Sequence, residues 1–235
     1  MILAIVGQKG GVGKTTTALA IGTEWHRRGR SVVLVDADPQ GSLRTWGEVA
    51  AEESKPAPLV VAMGAGLNQP GQLPALAARY DVAVVDTPPR SDGIMRHALA
   101  VADVALLPCG PTPVDAWALA TTLSAVEEAR IIRPALRAFV LLTRISKRTS
   151  LGATAREVLQ GSCSLPILRA ELGYRTVYAE APAAGLGVTE YDPTSTAADE
   201  VRALVTELEA LAGFGRRTDG KATTGRTNTP KRSAR

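Results

Sequence analysis

Short, unbroken apolar runs alternate with longer stretches of helical periodicity along most of the chain. Ile2–Val6 is the first run, and Ser31–Asp36, Val82–Asp86, Val104–Pro108 and Ala138–Thr143 repeat its character. Runs that are apolar on both faces mark strands covered on two sides, as in parallel sheets. Leu59–Ala62 reads as a short edge strand after Pro56 and Pro58, and Leu165–Arg169 as the last strand. Between the strands the pattern predicts helices over about 14–28, 43–54, 73–79, 91–101, 113–130, 149–160 and 195–212. Thr112 is placed as the cap of the fifth, with Pro113 at its first position and Asp115 three residues after the cap. On the last helix, Val201, Leu204, Val205, Leu208 and Leu211 share one face, and Asp199, Glu200, Glu207 and Glu209 hold the other. A helix lying on a membrane presents Lys and Arg there instead, so this one is expected to pack on the domain. The alternation predicts an α/β fold: a doubly wound, mainly parallel sheet with helices on both faces.

Composition refines this picture only at the end of the chain. The 235 residues are 45% hydrophobic and 21% charged, enough for one α/β domain with a core of its own. Net charge is +4, but residues 216–235 supply +6, so the remainder is about −2. The expected division is therefore one folded domain over 1–212 and a disordered basic tail over 213–235, inert or a non-specific grip on nucleic acid. Cys109 and Cys163 stand singly, without metal-ligand spacing, and are expected to be small core residues in a reducing, cytoplasmic setting. No run reaches membrane-spanning length, and none resembles a signal peptide.

The candidate chemistry lies at the ends of the strands. After Ile2–Val6 comes Gly7-Gln8-Lys9-Gly10-Gly11-Val12-Gly13-Lys14-Thr15-Thr16. Glycines without a Cβ let the backbone wrap closely, successive N–H groups make an anion cradle, and the following helix adds its positive end. Lys14 would place a charge on the outer phosphates and the Thr15 hydroxyl would hold Mg²⁺. This is a phosphate-binding loop for a nucleoside triphosphate. Asp86 closes an apolar strand, where a carboxylate accepts from a metal-bound water or from Thr15. Asp38 lies in an acidic turn after another strand; as a purely structural residue it would serve the turn or cap a helix.

Gln8 stands where the usual loop has its first glycine, and Lys9 is an added lysine. The Lys-Gly-Gly-x-Gly-Lys-Thr-Thr form resembles the deviant Walker A loop of the ParA/MinD family of ATPases, and the likeness extends over residues 1 to about 212. The resemblance implies ATP as substrate and Mg²⁺ as cofactor, with Gly10, Gly11, Val12, Gly13, Lys14, Thr15, Thr16 and Asp86 around the nucleotide. It also implies Thr15, Asp38 and Asp86 around the metal, Asp38 in a switch loop beside the attacking water, and Thr87-Pro88-Pro89 as a second switch. Lys9 would reach across a homodimer to the partner's nucleotide, and the basic segment Arg144–Arg148 would lie near the base or near DNA. The implied partners are a second copy in the ATP-bound state, with higher assemblies left open, non-specific DNA, and a centromere-binding ParB-like protein, in a nucleoid-associated location without membrane attachment. Arg144, Lys147, Arg148, Arg175 and the tail are the candidate DNA contacts. Two alternatives stay open: a positioning ATPase for a protein cargo, and a metabolic enzyme of the same superfamily such as an amidoligase or an iron–sulfur reductase.

Overall fold

A computed structural model describes residues 1–161 and 163–213. Its strands are β1 (Ile2–Ile5), β2 (Val32–Asp36), β3 (Leu59–Ala62), β4 (Val82–Asp86), β5 (Val104–Cys109), β6 (Arg137–Ile145) and β7 (Ile167–Gly173). Its helices are α1 (Lys14–Arg27), α2 (Ser42–Glu52), α3 (Leu73–Ala77), α4 (Asp92–Val101), α5 (Pro113–Ile132), α6 (Ser150–Gln160), α7 (Val177–Ala183), α8 (Val188–Tyr191) and α9 (Thr196–Ala212). Among the described residues the strands form one sheet in the order β3-β2-β4-β1-β5-β6-β7, and every pairing is parallel.

The period-two geometry of a strand divides the apolar runs between two cores. Ile2, Ala4 and Val6 of the first run, with Val33, Val35, Ala83 and Val85, meet α3, α4, α5 and α6 on one face. Leu3 and Ile5, with Leu34, Val82 and Val84, meet α1, α2 and α9 on the other. The predicted apolar face of α9 is the packed one: Val201, Leu204, Val205 and Leu208 are buried, and Leu211 packs on the same core from a partly exposed position.

Because all strands point one way, every strand end that carries a candidate residue lies on one rim of the sheet. Register tightens this. Asp86 is the parallel partner of both Ile5 and Asp36, so the phosphate loop and both acidic turns leave the sheet side by side. Thr112 and Asp115 form the expected reciprocal cap of α5.

Two expected strand ends need correction, and two short helices were not foreseen. β6 extends to Ile145, so Arg144 lies inside the strand end, in a left-handed conformation with φ 58°. β7 runs to Gly173, not Arg169. The continuation past Arg169 carries Glu171 and Gly173 and does not read as strand, yet β7 is an edge strand. The Arg169 and Ala170 N–H groups donate to Glu207 and the Gly173 N–H to Glu200, so α9 covers this edge with carboxylates. The short helices α7 and α8 carried no apolar period long enough to announce them. The expected basic tail lies, from residue 214 onward, outside the described residues.

Candidate functional site

The loop after β1 depends on two backbone conformations that only glycine adopts without strain. Gly11 has φ 73° and Gly13 φ 91°, and Gly13 caps α1. From outside, the end of β6 holds the loop. The buried Thr143 hydroxyl donates to the Val12 carbonyl at 2.8 Å, and Arg144 Nη1 donates to the Gly11 carbonyl at 2.9 Å.

Lys14 opens α1 and turns inward. It is 6% exposed, and its Nζ donates to the Lys9 carbonyl at 3.0 Å. Burial lowers its pKa, against the opposing fields of Asp86 and then Asp38. The field of Asp38 thus reaches the loop lysine. Its own Oδ1 accepts from the Gln40 N–H at 2.9 Å, the turn role weighed for it, while Gly41, not Asp38, caps α2. Asp36, which the sequence did not single out, is the buried anchor of this turn. It accepts from the backbone N–H of Asp38 at 3.1 Å and of Arg44 at 3.0 Å.

The Thr15 hydroxyl donates to Asp86 Oδ2 at 2.6 Å. Asp86 Oδ1 is buried and accepts nothing from the described residues. Burial pushes the Asp86 carboxyl up to about 7; the Thr15 bond opposes this, and the neighbouring Asp36 adds to it. A buried carboxylate oxygen without a donor, beside a hydroxyl, fits a hydrated Mg²⁺ ion, which takes few protein ligands and keeps waters and phosphate oxygens. Among the described residues no group of three or more His, Cys, Asp or Glu side chains is placed to hold a metal by itself.

Lys9 turns the other way. Its Nζ lies 2.5 Å from Asp115 Oδ1 in α5, with the lysine side chain 33% exposed and the aspartate 5%. Burial would raise the Asp115 carboxyl, but the bonds from Lys9 and Thr112 outweigh it and hold the pKa below the usual value. Sequence reasoning saw Asp115 only as a helix cap; no local signal pairs it with a lysine 106 residues away. Gln8 donates its side-chain amide to Asp92 at the start of α4, and its carbonyl accepts from the Arg90 N–H at 3.1 Å. The loop is thereby joined to the segment after Asp86 that was read as a second switch.

A cleft of about 510 Å³ adjoins the loop, with Gly11, Gly13, Thr16 and Thr17 on one side and Tyr174 and Tyr178 on the other. Arg144 lines it, its guanidinium 5.9 Å from the centre of the Tyr174 ring. Of the candidate DNA contacts, Arg144 is engaged by the loop and Arg175 is paired with Glu200, whereas Lys147 and Arg148 are exposed beside a second hollow. Cys109 is buried and Cys163 half-buried on the core, and both are free thiols. No helix among the described residues is long and apolar enough to cross a membrane.

A parallel sheet whose central strand enters a glycine cradle, with a buried lysine inside it and a threonine–aspartate pair at its mouth, defines a P-loop nucleoside triphosphatase. Residues 3–188 match the family model described as the CobQ/CobB/MinD/ParA nucleotide binding domain, and the chain belongs to that family, as a ParA/MinD-type ATPase. It is 32% identical over 208 residues to the maintenance of carboxysome distribution protein A of Halothiobacillus neapolitanus, covering 88% of this chain and 95% of the relative. It is 30% identical over 236 residues to the chromosome-partitioning ATPase Soj of Thermus thermophilus, again covering 88% and 95%. The fold is similar to that of the Cyanothece McdA(D38A)–ATP complex, with a TM-score of 0.70 at 19% identity, covering 90% of this chain and 96% of that one.

Proposed function

We propose that the chain is a partition-type ATPase that dimerises around two ATP molecules, binds DNA non-specifically in that state, and is stimulated by a centromere-binding partner. The observation that carries this reading is the division between the two loop lysines. Lys14 fills the interior of the loop, so Lys9 is not needed there, and Lys9 is held by one carboxylate at the loop's outer side. A surface cation released from Asp115 would be free to serve a triphosphate on a second copy, as an arginine finger does.

Phosphoryl transfer needs positioning and charge neutralisation more than covalent chemistry. The cradle N–H groups and Lys14 bind and orient the β- and γ-phosphates. Asp38 orients the attacking water. Thr15 and Asp86 would hold Mg²⁺, which when bound neutralises charge on the same phosphates. Hydrolysis would remove the γ-phosphate contacts of the loops after Asp36 and Asp86 and so loosen the dimer. DNA contact would come from Lys147, Arg148 and the basic tail.

Binding of a non-specific duplex by the protein with a slowly hydrolysed ATP analogue, against ADP, tests this. The expected result is affinity only with the analogue, falling steeply with salt as counterions are released. No affinity even at low salt would overturn it. The likeness to the carboxysome distribution protein supports a second reading, in which the same cycle positions a protein cargo. Recovery of the partner that stimulates ATP turnover separates the two.

A further inference from the structure

Glu200 of α9 collects four hydrogen bonds from one short segment. Oε2 accepts from the Gly173 N–H at 2.9 Å and from the Tyr178 hydroxyl at 3.0 Å. Oε1 accepts from Arg175 Nε at 3.0 Å and Nη2 at 2.6 Å. The three donor residues span the end of β7 and the start of α7, and this segment is the far wall of the cleft beside the phosphate loop. Glu200 stands behind that wall and lines the neighbouring hollow instead.

The Tyr174 N–H donates to the Ile145 carbonyl at 2.9 Å, and Leu172, Val177 and Tyr178 pack on the core, but the acceptor shared by residues 173, 175 and 178 is Glu200. Besides Glu200, the Tyr178 hydroxyl has, among the described residues, only the Ala197 carbonyl at 3.5 Å, beyond a normal O–H···O bond. Gly173 is the last residue of an edge strand whose pairing with β6 is irregular. Arg175 would stand exposed without its ion pair. A carboxylate is the acceptor such a set requires, because charge-assisted bonds of this length are strong and the guanidinium is read in a fixed fork. In front of the wall Tyr174 is 74% exposed, and its ring, with the Arg144 guanidinium 5.9 Å from its centre, offers a flat face at the mouth of the cleft on which a base can stack.

We propose that Glu200 is a positioning residue for the nucleoside. It holds segment 173–178 at the distance from the phosphate loop that base and ribose need, without touching the nucleotide itself. Its effect is therefore confined to the nucleoside half of the ligand and spares the phosphates. This rests on the nucleotide lying at the loop, which is tested separately: native Mg-ADP affinity in Lys14→Ala would refute that premise and not the role of Glu200.

The test is calorimetric titration of Mg-ADP and of inorganic tripolyphosphate into the native chain, Glu200→Ala and Glu200→Gln. Mg-ADP binding should weaken about tenfold in Glu200→Ala, the loss of one charge-assisted bond's worth of order. Glu200→Gln should fall between, because its amide oxygen still accepts from Gly173 and Tyr178 but no longer carries charge toward Arg175. Tripolyphosphate binding should not change in either, and steady-state turnover should show a raised KM for ATP at unchanged kcat. Equal weakening of both ligands would show general damage and overturn the proposal, as would unchanged Mg-ADP affinity. If Glu200→Ala does not fold, Glu200→Gln decides on the same comparison.

Discussion

The inner and outer sides of the phosphate loop each hold a lysine, and the two are built for different work. On the inner side Lys14 is buried, shifted by burial toward its neutral form, and held by a backbone carbonyl next to Asp86 and Asp38. A triphosphate arriving there supplies the anionic partner that burial otherwise denies it. On the outer side Lys9 is one-third exposed and already has its anion, the nearly buried Asp115. It gains nothing from its own nucleotide unless it leaves that partner. One loop thus carries a fixed cation and a tethered one, and the difference comes from what each faces: the loop interior beside Asp86 for Lys14, α5 for Lys9.

The largest effect expected is on the inner side. Lys14→Ala should lower ATP turnover by at least about a hundredfold, with nucleotide affinity falling as well, because a charge at the site of reaction is lost. Titration with Mg-ADP and a phosphate-release assay check this. On the outer side, Lys9→Ala should lower kcat by a comparable factor, about a hundredfold or more, while Mg-ADP affinity of the monomer stays within about twofold. Equal loss of Mg-ADP affinity in both variants would erase the distinction.

Asp115→Ala sharpens the comparison from the opposite wall. It frees Lys9 and removes one half of the α5 capping box, so unfolding stability should fall by about 1 kcal/mol in denaturant titration. At sub-saturating ATP analogue its dimer fraction should rise, because no ion pair has to open first. A fall in dimer fraction would mean that Asp115 orients Lys9 for the partner.

The smallest effect concerns Asp86. Its folded-state carboxyl, pushed up to about 7, lies above the ordinary unfolded value, so its contribution to stability is full at acid pH and is lost as pH rises through the folded value. Without metal or nucleotide, the native chain should lose about 2–4 °C of Tm between about pH 6 and 8 relative to Asp86→Asn. Parallel pH profiles of the two would contradict the shift.

What was legible in the sequence was local. The loop, its threonine and the strand ending in Asp86 are each contiguous motifs, and the Thr15–Asp86 bond follows from their known geometry. The edge position of β3 was legible because Pro56 and Pro58 precede a short run. What escaped depends on contacts distant in sequence. Lys9 with Asp115, and Glu200 with segment 173–178, are charge pairings that no periodicity encodes. β7 was shortened because Glu171 interrupts its apolar run; that carboxylate is met by Arg156 of α6, and the backbone N–H groups of Arg169 and Ala170 by Glu207 of α9. Asp36 looked like the last residue of a strand; only the fold shows that it anchors the turn carrying Asp38.

The most direct test of the two-sided loop is the solution mass, by light scattering, of the native chain and of Lys9→Ala, each saturated with a slowly hydrolysed ATP analogue. The account predicts twice the monomer mass for the native chain and the monomer mass for Lys9→Ala, with the analogue bound in both. A Lys9→Ala chain that dimerises like the native one, or a native chain that turns over ATP at full rate as a monomer, would contradict it.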